Sequence, residues 1–221
     1  MMNRQTQPEK TLAILYQDSD IVVIDKPGGL LAVPGRGPAK QDCAAARLRR
    51  RLPKMIDQPA VHRLDMYTSG LMVFAVTAAA HRFLSGQFEK RAVVKKYTAV
   101  VEGVFEAPGG EIHLPYRLDV NDRPRQIFDP VHGKLGSTRW LKLDATESTT
   151  RVEFTPLTGR THQLRVHAAH PRPQGLGAPI VGDSLYGSGK EGDAMLLHAT
   201  FLQFLHPATR QVIQFDSRPP F

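Results

Sequence analysis

His62-Arg63-Leu64-Asp65-Met66-Tyr67-Thr68-Ser69-Gly70-Leu71-Met72-Val73-Phe74-Ala75-Val76 changes character halfway along its length. Its second half, Leu71 to Val76, is an unbroken apolar run of the length of a strand buried on both faces. Its first half sets a carboxylate, Asp65, close to Arg63 on a loop that enters that strand. Loops fixed by rigid strands are where reactive side chains are commonly held. The same Asp, Thr, Ser and Gly residues also build ordinary turns.

Outward from this stretch the pattern is one of strands with irregularly interspersed helices. On the C-terminal side, Ala80, Leu84 and Phe88 mark the inner stripe of a short amphipathic helix, and Val94 to Val101 alternates as a strand does. Further strands are predicted at Ser137 to Leu143, Arg151 to Thr155, Leu197 to Leu205 and Gln211 to Phe215. On the N-terminal side, the β-branched run Ile21 to Ile24 is closed by Lys26-Pro27-Gly28-Gly29, where Pro second and Gly third suit a type II turn. From Asp42 to Leu52 the spacing predicts a helix, with Ala44, Leu48 and Leu52 on one side, Arg47, Arg50 and Arg51 on the other, and Pro53 as the stop. The arginine face is either a solvated surface or an arm along a phosphate backbone. Together these elements predict an α+β fold with a mixed, largely antiparallel central sheet and flanking helices.

The 221 residues suit one large domain as easily as two small ones, and the absence of repeats or low-complexity blocks favours a single domain over 12–221 behind a flexible segment 1–11. With 41% hydrophobic and 23% charged residues, the chain can fill a core without staples. Lys and Arg number 29 against 21 Asp and Glu, a net +8 that suits a partner rich in phosphate, nucleic acid first, or else serves solubility. Cys43 is the only cysteine, which excludes an intramolecular disulfide and a cysteine zinc cluster. The longest weakly polar run, Thr68 to Ala80, is too short for the roughly 20 residues of a membrane-spanning helix. The first ten residues, MMNRQTQPEK, have no apolar signal region. A cytoplasmic protein with no membrane contact is expected.

Several familiar chemistries can be set aside. Gly182 to Lys190 is no phosphate loop, because Ser184 stands where a glycine is needed and Lys190 is followed by Glu191. His62-Arg63-Leu64-Asp65 lacks the glycine-rich loop, strand lysine and Asp-Phe-Gly of a kinase. His162, His167 and His170 have no carboxylate or thiol at ligand spacing, so structural or RNA-contacting histidines are expected rather than a metal site.

HRLDMYTSGL, from His62 to Leu71, resembles the catalytic motif of the RluA-type pseudouridine synthases, and other segments similar to that family's follow in order. IVVIDKPGGLLAVPG precedes it; KKYTAVVEG, TGRTHQLRVH (Thr158 to His167), PIVGDSLYG (Pro179 to Gly187) and LLHATFLQFLHP come after it. The resemblance runs from about residue 12 to the C-terminus. It departs from the family at residues 170–176, which look longer than the usual connection and predict altered contacts near the cleft. Asp65 lies too near the start of the sequence for an S4-type RNA-binding domain to be expected before the motif, so the catalytic domain is expected to choose the substrate.

The resemblance implies the pseudouridine synthase fold with a central catalytic cleft. It also implies an isomerisation of uridine in ribosomal or transfer RNA: the uracil leaves C1′, turns, and rejoins through C5, with no metal and no cofactor. Asp65 would be the catalytic carboxylate, attacking C1′ or C6 or removing a sugar proton. Arg165 would pair with it, and Tyr97 would stack on the extruded base. Arg63 would help open the RNA or fill the space left by the flipped nucleotide, or else contact phosphate only, and His62 and Thr68 would lie at the substrate. Arg123 and Arg125 would face RNA, and Arg160, Thr161 and His162 would offer a helix start to a phosphate. Arg47, Arg50 and Arg51 are backbone-tracking candidates. RNA is the expected partner, with no obligatory protein partner and a monomer as the default. A non-catalytic RNA-binding or folding factor of the same fold is the alternative, and a hydrolytic N-glycosidase, which would release uracil, is a third.

Overall fold

The β-branched and apolar runs pair into one sheet that carries both helix-forming segments and the loops of the cleft. The computed structural model describes residues 12–221; segment 1–11 lies outside the described residues. The strands are β1 (Ala13–Gln17), β2 (Ile21–Lys26), β3 (Ser69–Ala75), β4 (Val94–Glu102), β5 (Gly109–Leu118), β6 (Gln126–Phe128), β7 (Lys134–Ala145), β8 (Thr149–Pro156), β9 (Leu197–Leu205) and β10 (Val212–Asp216). The helices are α1 (Ala44–Arg51), α2 (Ala78–Glu89) and α3 (Gln163–Ala169). The sheet order is β1-β2-β3-β9-β4-β8-β7-β5-β6, with β10 added to β9. Every strand pairing is antiparallel except that of β3 with β9. The α+β, largely antiparallel fold expected from the sequence is the fold observed. Among the described residues no helix is long and apolar enough to cross a membrane.

The parallel exception positions the loop that holds Asp65. β3 and β9 pair only at Ser69 with His198 and Gly70 with Ala199. Beyond that point β9 pairs with β10 instead, so β3 and β9 are joined only at the end of β3 that follows the Asp65 loop. Gly70 has φ +108°, and a Cβ there would lie 2.4 Å from the Ala199 carbonyl oxygen, so only glycine allows the two backbones to touch. A buried polar chain pins the same junction. The Ser69 hydroxyl lies 2.8 Å from His198 Nδ1, His198 Nε2 lies 2.9 Å from Ser217 Oγ, and Ser217 donates to Asp25 at 2.5 Å. Because the Ser217 proton goes to Asp25, the network assigns the His198 proton to Nε2 and leaves Nδ1 to accept from Ser69. Burial holds His198 below its ordinary pKa, in keeping with this neutral form.

Four details differ from the sequence reading. The positive φ of the turn after β2 falls on Gly29 (+83°) rather than Gly28, because the Gly29 N–H bonds to the Met66 carbonyl at 2.9 Å and fixes the turn one residue later. α1 begins at Ala44 rather than Asp42, because Cys43 is its cap, its sulfur accepting the Ala46 N–H at 3.3 Å. β1 and β6 are sheet-edge strands. β5 has its inward residues Ile112, Leu114 and Tyr116 in strict alternation, but Gly109, Gly110 and Pro115 mask it as a strand. Its outer neighbour β6 pairs only with Tyr116 to Leu118, so Pro115 lies at the end of that ladder and the missing donor is tolerated.

Candidate active site

Lys26 ends β2 and is fully buried, an arrangement that costs free energy unless the charge is solvated by protein. Its ammonium donates to the carbonyls of Pro27 (2.9 Å), Leu30 (2.9 Å) and Met66 (3.1 Å). Burial pushes it down to about 7, against the pull of Asp65 and Asp25. The Gly29 N–H holds the same Met66 carbonyl. The turn after β2 thus fixes the backbone next to Asp65, and the Thr68 N–H closes the loop on the Asp65 carbonyl at 3.2 Å. The role of Lys26 has no local signature beyond its place at the end of an apolar run before Pro-Gly-Gly.

The loop aims Asp65 into a cleft of about 790 Å³, a size in the usual range for small-molecule pockets. Asp65 Oδ2 lies 3.6 Å from Arg165 Nη1 and 3.9 Å from His162 Nε2, with its side chain 19% exposed. Arg165 projects from α3 and is held on its other edge by Asp183. The fork is bidentate, Nε to Oδ2 and Nη2 to Oδ1, both at 2.7 Å. Asp183 is itself fixed by the N–H groups of Leu185 (2.9 Å) and Tyr186 (3.1 Å). Burial opposes both charges, but the pair outweighs it: the Arg165 guanidinium stays above its ordinary value and the Asp183 carboxyl below its own. With Nε and Nη2 committed to Asp183, Arg165 presents Nη1 to Asp65.

His162 caps α3 with φ 56°, a left-handed conformation that is unfavourable for a residue bearing a Cβ. Its Nδ1 lies 2.8 Å from the Tyr186 hydroxyl, which already accepts the Gln126 N–H at 2.7 Å. The phenol proton is therefore free to go to Nδ1, which assigns the imidazole proton to Nε2, facing Asp65. Burial lowers the pKa of His162, with Asp65 acting the other way, so the ring is neutral at pH 7. Tyr97, from β4, lines the cleft with its ring buried. Burial first, and the Asp65 charge second, raise its hydroxyl pKa and keep it protonated.

The other residues singled out in the sequence divide. His62, Arg63, Thr68, Arg160 and Thr161 line the same cleft. His62 accepts the Val73 N–H through Nε2 at 3.1 Å and stacks on Phe88 at 4.5 Å, and burial brings its pKa to about 3, so it offers the cleft a neutral ring. Arg63 is exposed at the mouth. Arg160 differs from the expected phosphate clamp. Its guanidinium donates to the Tyr116 carbonyl at 2.8 Å and to that of Lys134, and its N–H is taken by Gln163 Oε1 at 3.0 Å. Before α3, Arg160 is thus bonded within the protein through both its side chain and its N–H, and the Gln163 N–H bonds to the Arg160 carbonyl at 3.1 Å.

Arg125 pairs with Asp122 at 2.7 Å and covers the Tyr186 ring at 5.5 Å, so it borders the site through Tyr186. Arg123 is exposed and outside the cleft lining. The α1 arginines are also away from the cleft lining: Arg47 pairs with Asp42 at 2.6 Å, Arg50 lies 3.9 Å from the same carboxylate, and Arg51 donates to the Leu12 carbonyl at 3.1 Å. Residues 170–176 are not among the cleft-lining residues, and the segment folds back on itself and α3. The Leu176 N–H bonds to His167, and Arg172 reaches Leu176 and the Phe105 ring. The three histidines engage different partners: His162 bonds to Tyr186, His167 meets the edge of Tyr116, and His170 tilts against Phe128.

Known proteins share both the sequence and the fold of this chain. The sequence profile of the RNA pseudouridylate synthase family matches residues 20–170. A dual-specificity RNA pseudouridine synthase RluA from Haemophilus influenzae is 41% identical over 217 residues, 96% of this chain and 95% of the relative. The protein of that name from Escherichia coli strain K12 is 41% identical over 226 residues, 100% of this chain and 99% of the relative. The solved structure of human RNA pseudouridylate synthase domain containing 1 superposes with a TM-score of 0.77 at 28% identity, covering 98% of this chain and 87% of that one. Matched along nearly its whole length in sequence and in fold, the chain belongs to the RNA pseudouridylate synthase family, whose members are isomerases of RNA.

Proposed function

We propose that the protein isomerises uridine in stem-loops of ribosomal or transfer RNA, with Asp65 as the reacting carboxylate and the target base turned out of its stack onto Tyr97. One observation carries this reading: Asp65 is the carboxylate held inside the cleft, its Oδ2 3.6 Å from Arg165 Nη1 and 3.9 Å from His162 Nε2. The other acidic lining residue, Glu89, is exposed at the end of α2. Base extrusion costs a few kcal/mol in a paired stem and less in a loop, which places the preferred uridine in a loop. The relatives' description as dual-specificity enzymes supports more than one RNA class as substrate. In this reading the region 12–221 acts as one catalytic domain, a cytoplasmic monomer that needs no metal, cofactor or protein partner.

The test is chemical mapping of pseudouridine in total RNA from cells with and without the gene, followed by assay of a stem-loop of about twenty nucleotides around each lost site. Release of free uracil, with an abasic site left behind, would instead establish hydrolysis. Tyr97 gives a finer test. Tyr97→Phe retains the stacking ring, so KM is expected to stay within about twofold. Tyr97→Ala is expected to raise KM about tenfold, within the roughly 1–3 kcal/mol of a base stacked on an aromatic ring. Equal KM values for the two variants would remove Tyr97 as the stacking platform.

A further inference from the structure

Two adjacent lysines on β4 have opposite fates. Lys96 points away from the cleft and pairs with Glu153 on β8 at 3.1 Å. Lys95, on the face it shares with Tyr97, lines the cleft and is half-buried there. Its ammonium lies 5.9 Å from the centre of the Phe88 ring and 3.6 Å from the point where a Cβ on Gly159 would be. Among the described residues it has neither a carboxylate nor a hydrogen-bond acceptor. Burial alone pushes it below the ordinary lysine value, and no carboxylate acts the other way. A desolvated cation with only a ring for company is costly, since the ring offsets only part of the desolvation penalty.

The neighbouring cations of the cleft are differently placed. Arg165 is held by Asp183 and Asp65, and Arg160 by two backbone carbonyls. Arg63, Arg91 and Lys134 are exposed at the mouth and keep their water. His62, beside Lys95, is neutral and does not compete for an anion. An anion that enters the cleft therefore finds in Lys95 a charge that is already stripped of much of its water and unspent. Lys95 and Tyr97 are two residues apart on one strand, about 7 Å, close enough for a nucleotide and its own backbone to meet both.

We propose that Lys95 is a phosphate-binding residue of the cleft, its ammonium taking the RNA phosphodiester that flanks the nucleotide stacked on Tyr97. The proposal rests on the reading that an RNA uridine occupies this cleft. Lysine binds phosphate as a point charge and reads no base, so the contact would place the strand and leave the choice of uridine to other groups.

The test uses the full chain carrying Lys95→Gln or Lys95→Arg, with a stem-loop of about twenty nucleotides as the probe, and measures kcat, KM and RNA affinity between low and high KCl. Lys95→Gln is expected to raise KM about tenfold with kcat within about twofold. It should also make the slope of log affinity against log salt shallower by about 0.7, one phosphate's worth on a single strand. Lys95→Arg is expected to restore both. An unchanged KM and slope overturn the proposal. So does a rise in KM without a change of slope, or a defect that Arg does not repair, since either would make Lys95 a packing residue. If the unmodified protein makes no pseudouridine on any RNA, the functional reading fails instead, and the salt slopes of RNA binding still decide for or against Lys95.

Discussion

Asp65→Asn is expected to reduce pseudouridine formation at least about 10⁴-fold, the scale on which removal of a reacting group acts, while RNA affinity stays within a few fold. The reason lies in how the residue is held. Its loop is fixed by backbone bonds, from Thr68 N–H to the Asp65 carbonyl and from Lys26 and Gly29 to the Met66 carbonyl, none of which involves the carboxylate. The amide keeps the shape and the loop but loses the charge that reacts. Arg165 does not collapse, because Asp183 holds it by two bonds at 2.7 Å. The measurement is pseudouridine yield by mass spectrometry of digested RNA, alongside a filter-binding curve and a thermal melt of each protein. Turnover by purified Asp65→Asn would remove Asp65 from the chemistry. Equal loss of binding and turnover would make it a binding residue.

The site also shows which features a linear reading can reach. β3 and β9 were legible as apolar runs, and β4 by its alternation, because burial on one or two faces writes itself into neighbouring residues. β5 was not, because Pro115 and two glycines outweighed a correct alternation. The turn after β2 was legible in kind but shifted by one residue, since a contact with Met66, 37 positions after Gly29, decides which glycine takes the positive φ. The arginines of α1 show what spacing leaves open: it places them on one helix, but charge composition cannot reveal that Asp42 holds Arg47 while Arg51 donates to the Leu12 carbonyl. Asp65, Tyr97 and Arg165 were singled out through a family resemblance. Lys26, Asp183, Tyr186 and His198 lie in stretches quoted for that resemblance, yet their work is to bond residues distant in sequence, and no local pattern marks it.

The largest stability effect is expected at the pair that supports Arg165. Arg165→Gln leaves Asp183, fully buried, without its partner, and breaking one side of a buried ion pair typically costs about 3–5 kcal/mol. Activity is expected to fall a further 10²-fold or so, as Asp65 loses the cation 3.6 Å away. Arg165→Lys keeps a charge but cannot make the fork, and so is expected to recover part of the stability and little of the activity. Acid behaviour separates the pair from ordinary packing. Asp183 has a folded pKa below its ordinary value, burial being outweighed by Arg165 and the N–H groups of Leu185 and Tyr186. Its contribution is therefore fully present above the unfolded value of about 3.9 and lost as pH falls through the lower folded value. Asp183→Asn retains an oxygen for those N–H groups but has no such titration. Urea unfolding from pH 7 down to about pH 2 is therefore expected to show the unmodified protein losing more stability below about pH 4 than Asp183→Asn. Parallel curves for the two would mean that Arg165 does not depend on the Asp183 charge, and that the orientation of Nη1 toward Asp65 comes from the packing of α3 alone.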